Sequence, residues 1–319
     1  WFDEHRHARP YIRRYFLNDF FGPYTDEVIA LYLNDVDYET YELKPEVDTQ
    51  RKIEQYFCDK TDEKSIRVKN GLYGLTDEVL FVPDPYRKGK YHPRIASQYT
   101  YSYRAMNDYD RWCYDQLYVD FFYHRHNHFW KEEALKKLPH LIDSTPMLAC
   151  GEDLGMIPAS VPEVMHRLQI LSLEIQRMPK DSGTEFGNPY TYPYLSVCAT
   201  STHDMPPIRA WWEENREKTQ RYFNNVLHEP GPAPFYCEPW ICNKIIDLNL
   251  QAPSMLAIFP LQDWLSIDGK IRRENPGDER INIPANPRHY WRYRMHLTLE
   301  QLLGLTEFNR RLRQKLELY

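Results

Sequence analysis

An α/β fold built on parallel strands is what this sequence predicts, and three observations carry the prediction. Short, largely apolar runs at 147–150, 194–200 and 254–261 each stop at polar or acidic residues: Glu152-Asp153, His203-Asp204 and Gln262-Asp263. Segments with helical spacing separate the runs, which is the alternation of right-handed βαβ units. The run 147–150 is apolar throughout rather than alternating, as in a strand covered on both faces. In parallel α/β proteins, the side chains that do chemistry stand at the carboxyl ends of strands.

Residues 1–115 read as an appended module of helices and a hairpin. Spacing predicts helices at 10–21, 25–33 and 47–57. Asn70-Gly71 carries a turn signal, and the apolar run 79–82 stops at Pro83-Asp84-Pro85. Residues 116–319 form the second predicted domain. The pattern is helical over 109–141, with Trp112, Leu117, Phe121 and Trp130 as buried candidates. Within it, His124 and His128 share a helix face and His126 points away; they lack the intervening acid of H-E-x-x-H, so a polar face and a metal site both stay open.

The run 147–150 predicts a buried strand, and Gly151 allows close backbone approach where Glu152 emerges. Glu152 or Asp153 could equally cap the following turn. A helix at 161–168 and strands at 171–178 and 194–200 follow. Pro206-Pro207 suits the first turn of the next helix, because an orphan position there needs no N–H donor. A fourth strand is predicted at 254–261, a loop at 268–289, and a terminal helix at 298–318 with Leu299, Leu302, Leu303, Phe308, Leu312 and Leu316 as its apolar face.

A net charge of −6 gives no electrostatic footprint for nucleic acid or an anionic membrane. No apolar run reaches the roughly 18 residues of a membrane span and no signal peptide is visible, so a cytoplasmic location is expected. The 6 cysteines are scattered without a C-x-x-C pair, as for reduced thiols used as small core residues. The 25 tyrosines and 8 tryptophans suit a large core, and such rings also stack on the apolar faces of sugars.

Two motifs converge on a family. Residues 149–158, Ala-Cys-Gly-Glu-Asp-Leu-Gly-Met-Ile-Pro, resemble the A-E-D-L-G-x-I-x-P signature of the amylomaltases and disproportionating enzymes, the 4-alpha-glucanotransferases of glycoside hydrolase family 77. Ser201-Thr202-His203-Asp204 resembles that family's G-T-H-D motif. The stretches 175–179, 209–214, 251–265 and 282–299 are similar to its plant-type disproportionating enzyme 2 branch. The resemblance implies the carboxyl-terminal half, strands five to eight, of a (β/α)8 TIM barrel, preceded by a mainly helical insertion module. It implies glucosyl transfer on maltose, maltooligosaccharides or glycogen- and starch-like glucans, without cofactor or metal. Glu152 would be the acid/base and Asp204 the transition-state carboxylate, with His203, Asp153, Asn282 and Pro284 as substrate-binding residues.

Retaining transfer also needs a nucleophilic carboxylate. In the family it lies in an R-I-D-H-x-x-G segment, and Phe2-Asp3-Glu4-His5 lacks both the Arg and the Gly of that pattern. The chain is therefore expected to be a carboxyl-terminal fragment without its nucleophile, inactive alone, whose unpaired strand edges either drive self-association or are covered by residues 1–120. Two other readings stand beside this one. A non-catalytic glucan-binding scaffold would hold sugar with the same groups, and a metal-dependent hydrolase would draw on His203, Asp204, Glu152 and the 124–128 histidines.

Overall fold

The computed structural model describes residues 2–152, 157–181 and 183–319, and the chain forms two compact units, Trp1–His128 and Phe129–Tyr319. No described helix is long and apolar enough to cross a membrane.

In the first unit, β1 (Ile12–Arg13), β2 (Leu33–Asp37) and β3 (Thr40–Leu43) make an antiparallel sheet in the order β1-β3-β2. The first predicted helix is shortened to Arg14–Phe21, because Ile12 and Arg13 pair instead with Tyr41 and Thr40. Helices Thr25–Tyr32, Gln50–Tyr56 and Glu63–Thr76 complete one core around Phe16, Leu17, Phe21, Ile53, Leu72 and Leu75.

Asn70-Gly71 makes no turn and lies inside Glu63–Thr76, a helix capped by Asp62, which accepts from the Ser65 amide. A Cβ at Gly71 would sit 2.2 Å from Phe21 Cε1, so the glycine serves close helix–helix approach, and tertiary packing overrides the local turn preference. The run at 79–82 does enter a hairpin, of β4 (Phe81–Pro83) and β5 (Tyr91–Pro93).

From Asp108 the chain is helical through Asp108–Val119, a π-turn Asp120–Arg125 and His126–Asp143, and the division between the two units falls within this stretch. Trp112 and Leu117 are exposed, not buried. The packed face is centred on Tyr114, whose hydroxyl donates to the Leu80 carbonyl, and on Tyr118 one turn later. His124, His126 and His128 are exposed.

The second unit contains β6 (Ser172–Ile175), β7 (Ser196–Ala199) and β8 (Leu256–Ala257), all parallel and adjacent in sequence order. Cys150 adds a parallel bridge to Leu171, with the Gly151 amide donating to the Leu171 carbonyl at 2.8 Å. Helix Val161–Arg167 connects this bridge to β6, and helices Ile208–Glu214, Arg216–Asn225 and Pro239–Leu250 lie between β7 and β8. They bury Trp212, Tyr222, Ile241, Ile245 and Ile246 with Cys198 of β7 in one core.

The strand predicted as buried at 147–150 and the strand predicted at 254–261 are edges. Met147 is 73% exposed, Cys150 is exposed, and Ile258 is 58% exposed. The cause is pairing: β7 has a neighbour on both sides and is buried at every residue, whereas the 150 segment and β8 are each paired on one side among the described residues. The terminal helix is two helices, Leu299–Gly304 and Thr306–Leu316. Asn309 Nδ2 donates to the Leu302 carbonyl at 2.9 Å, a side-chain bond that competes with helix continuation. Phe308 is buried, while Leu299, Leu303 and Leu316 are exposed.

Candidate active site at the strand ends

Parallel pairing puts the carboxyl ends of the 150 segment, β6, β7 and β8 on one edge, so the residues that follow them share that edge: Glu152, Arg177, the 201–204 segment and Asp263. Glu152 is exposed two residues beyond the bridge. Asp153, predicted to bind substrate, lies outside the described residues.

The 201–204 segment leaves β7 and is held at both ends by buried charges. Asp263, 0% exposed, accepts from Thr200 Oγ1 at 2.6 Å, Ser201 Oγ at 2.9 Å and the Ile208 amide at 2.8 Å. Arg177 donates through Nη2 to the carbonyls of Thr200 at 2.7 Å and Pro206 at 3.0 Å, with its guanidinium 4.9 Å from the Trp211 ring centroid. Burial pulls the Arg177 pKa down, and the Asp263 charge opposes that pull. The loop that carries His203 and Asp204 is thus fixed where it starts and where it becomes the next helix.

Within the loop, Asp204 Oδ1 accepts from Asn282 Nδ2 at 2.6 Å, and Oδ2 lies 3.1 Å from His203 Nε2. The Asn282 amide donates to the His203 carbonyl at 3.2 Å, and His203 packs on Trp291 with ring centroids 4.9 Å apart. His203 and Asp204 are about half exposed, so this pair contributes little to stability and leaves both groups open to a ligand. The structure therefore joins three of the predicted residues, His203, Asp204 and Asn282; Pro284 stands exposed on the same loop as Asn282. A groove of about 300 Å³ beside them is lined by Leu173, Val197, Thr202, His203, Phe259 and Ile281.

Sequence reasoning did not single out Arg177 or the clamping role of Asp263, and it placed Trp291 only within the stretch 282–299. Asp263 carried a signal, since it ends an apolar run as Glu152 and Asp204 do. Arg209 and Glu279 were missed as well; they form a buried ion pair at 2.6 Å that anchors helix Ile208–Glu214 to residues Pro276–Glu279. Among the described residues no three His, Cys, Asp or Glu gather as metal ligands.

Carboxylates displayed on the carboxyl edge of a parallel sheet stand where α/β enzymes carry their catalytic side chains. Comparison with known proteins then makes the class specific. Residues 98–299 match glycoside hydrolase family 77, 4-alpha-glucanotransferase, and the chain belongs to that family. It is 39% identical over 306 residues to the 4-alpha-glucanotransferase DPE2 of Oryza sativa subsp. japonica, covering 94% of this chain and 32% of the rice protein. It is 28% identical over 232 residues to the 4-alpha-glucanotransferase of Chlamydia muridarum, covering 71% of this chain and 44% of that protein. The chain spans less than half the length of these curated relatives. Among solved structures, the amylomaltase of Streptococcus agalactiae in complex with acarbose matches with a TM-score of 0.38 and 21% identity, covering 50% of this chain and 30% of that one.

Proposed function

We propose that this chain supplies the acid/base and one transition-state carboxylate of a 4-alpha-glucanotransferase acting in the cytoplasm on maltose, maltooligosaccharides and glycogen- or starch-like glucans. The observation that carries the reading is the arrangement of Asp204 with Asn282 and His203 beyond a parallel strand, inside the span matched to the family. In this reading the 150 segment, β6, β7 and β8 are strands five to eight of a (β/α)8 barrel.

Transfer breaks the C–O bond of the donor glucoside and makes one to the acceptor. Glu152 gives its proton to the leaving oxygen while a carboxylate attacks the anomeric carbon, forming a glycosyl-enzyme ester. The acceptor hydroxyl then attacks that carbon, the ester breaks, and Glu152 recovers a proton from the acceptor. Asp204, oriented by Asn282 and His203, takes hydrogen bonds from sugar hydroxyls that strengthen as the ring gains oxocarbenium character. In this reading Pro284 lines the substrate path. The attacking carboxylate belongs to none of the candidate residues in this chain.

Asp204→Asn in the longest natural form of the protein tests the reading. Turnover of maltose should fall by about 10²-fold or more, with the thermal midpoint nearly unchanged. Unchanged kinetics with a lowered midpoint would make Asp204 a structural partner of Asn282 instead.

A further inference from the structure

A second cleft, larger than the groove at the strand ends, lies on the helical side of the second unit between residues 186–190 and helix Pro239–Leu250. Its volume is about 590 Å³, and it contains none of the candidate catalytic residues. We infer that this cleft is a second binding site for an α-glucan chain, an inference that rests on the reading of the protein as acting on α-glucans.

The lining is what a neutral, hydroxyl-rich ligand with apolar ring faces requires. Phe186 and the exposed Tyr190 supply aromatic surface. The two charged groups in the wall are already neutralised: Lys244 pairs with Glu229, and Asp247 with Lys315. Besides these pairs the lining holds the amides of Asn188, Asn225 and Gln251, the His228 ring and apolar side chains. Gln251 accepts from the Tyr190 hydroxyl at 2.7 Å, which fixes the ring while leaving its face open. Gln176 is buried in the wall; its Oε1 accepts from Tyr222, and its Nε2 has no hydrogen-bond partner among the described residues. A volume near 590 Å³ is within the roughly 300–1,000 Å³ of small-molecule clefts.

Calorimetric titration of the 319-residue chain with maltoheptaose tests the inference, using His203→Ala to weaken the strand-end site. With that substitution present, binding should persist. Adding Tyr190→Ala should weaken it by about tenfold, the order expected when a stacking ring is removed. Tyr190→Phe should restore most of it, because the stacking face is kept. Binding that is lost with His203→Ala and indifferent to Tyr190→Ala would overturn the second site while leaving the glucan reading intact. No binding to any form would also overturn it. Maltose transfer by the longest natural form, measured in parallel, then decides whether the glucan reading fails too.

Discussion

Thr200, directly after β7, donates a hydroxyl hydrogen bond of 2.6 Å to Asp263, a carboxylate fully enclosed by the fold. The same carboxylate takes the Ser201 hydroxyl and the Ile208 amide, so one side chain holds both ends of the loop that displays His203 and Asp204. Asp263→Asn keeps the shape and replaces one acceptor oxygen by a donor facing donors. It should lower stability by about 1–3 kcal/mol, read as a shift in the urea midpoint. An unmoved midpoint would mean that the clamp contributes nothing.

The buried Arg209–Glu279 pair makes stability depend on pH. Burial pushes the Glu279 carboxyl up to about 7, against the pull of Arg209. A carboxyl raised in the fold keeps its proton where the unfolded chain has released it. Its contribution is therefore complete below the unfolded value of 4.5 and is lost as pH rises to about 7. Arg209→Met should cost up to about 3–5 kcal/mol above this window, because Glu279 then loses the charge that lets it ionise in the fold and must either stay buried without a partner or hold a proton that the unfolded chain releases, and much less below it. Denaturation of both forms across the window checks this, and a pH-independent cost would contradict it.

Gly71→Ala sets two effects against each other. Alanine gains roughly 1 kcal/mol of helix propensity over glycine. The new methyl would meet the Phe21 ring, which is packed at 0% exposure in the core and cannot swing away. Overpacking costs about 1–3 kcal/mol, so the variant should be less stable despite its better helix former. A raised thermal midpoint would show that the two helices separate easily.

The exposed apolar residues on the two edges of the parallel sheet, Met147 and Leu148 on one and Leu256 and Ile258 on the other, predict self-association of the 319-residue chain. Solution mass should exceed 38.5 kDa at micromolar concentration, and Ile258→Lys should reduce it. A monodisperse monomer would contradict this.

The strands that frame the site were legible because apolar runs stop abruptly at acids, and 171–178 and 194–200 each contain the strand that forms there. Lateral cover was not legible: nothing in residues 147–150 or 254–261 says how many neighbours a strand will have, and one neighbour leaves Met147 and Ile258 in solvent. Asn70-Gly71 misled because a glycine required for Phe21 to approach looks, locally, like a glycine required for a turn. His203, Asp204 and Asn282 could be named from motifs. Their convergence, and the clamp of Arg177 and Asp263 behind them, depends on contacts between residues far apart in sequence: 23 positions for Arg177 and Thr200, 63 for Thr200 and Asp263, 78 for Asp204 and Asn282.

The account rests most heavily on Glu152 as proton donor, and one comparison tests that directly. In the longest natural form of the protein, Glu152→Gln should slow transfer from maltose by about 10²–10⁴-fold or more, because the leaving oxygen has no acid. With α-glucosyl fluoride as donor, whose leaving group needs no proton, formation of the glycosyl-enzyme should be nearly as fast as in the unsubstituted protein. Equal loss on both donors, or near-normal transfer from maltose, would contradict the assignment.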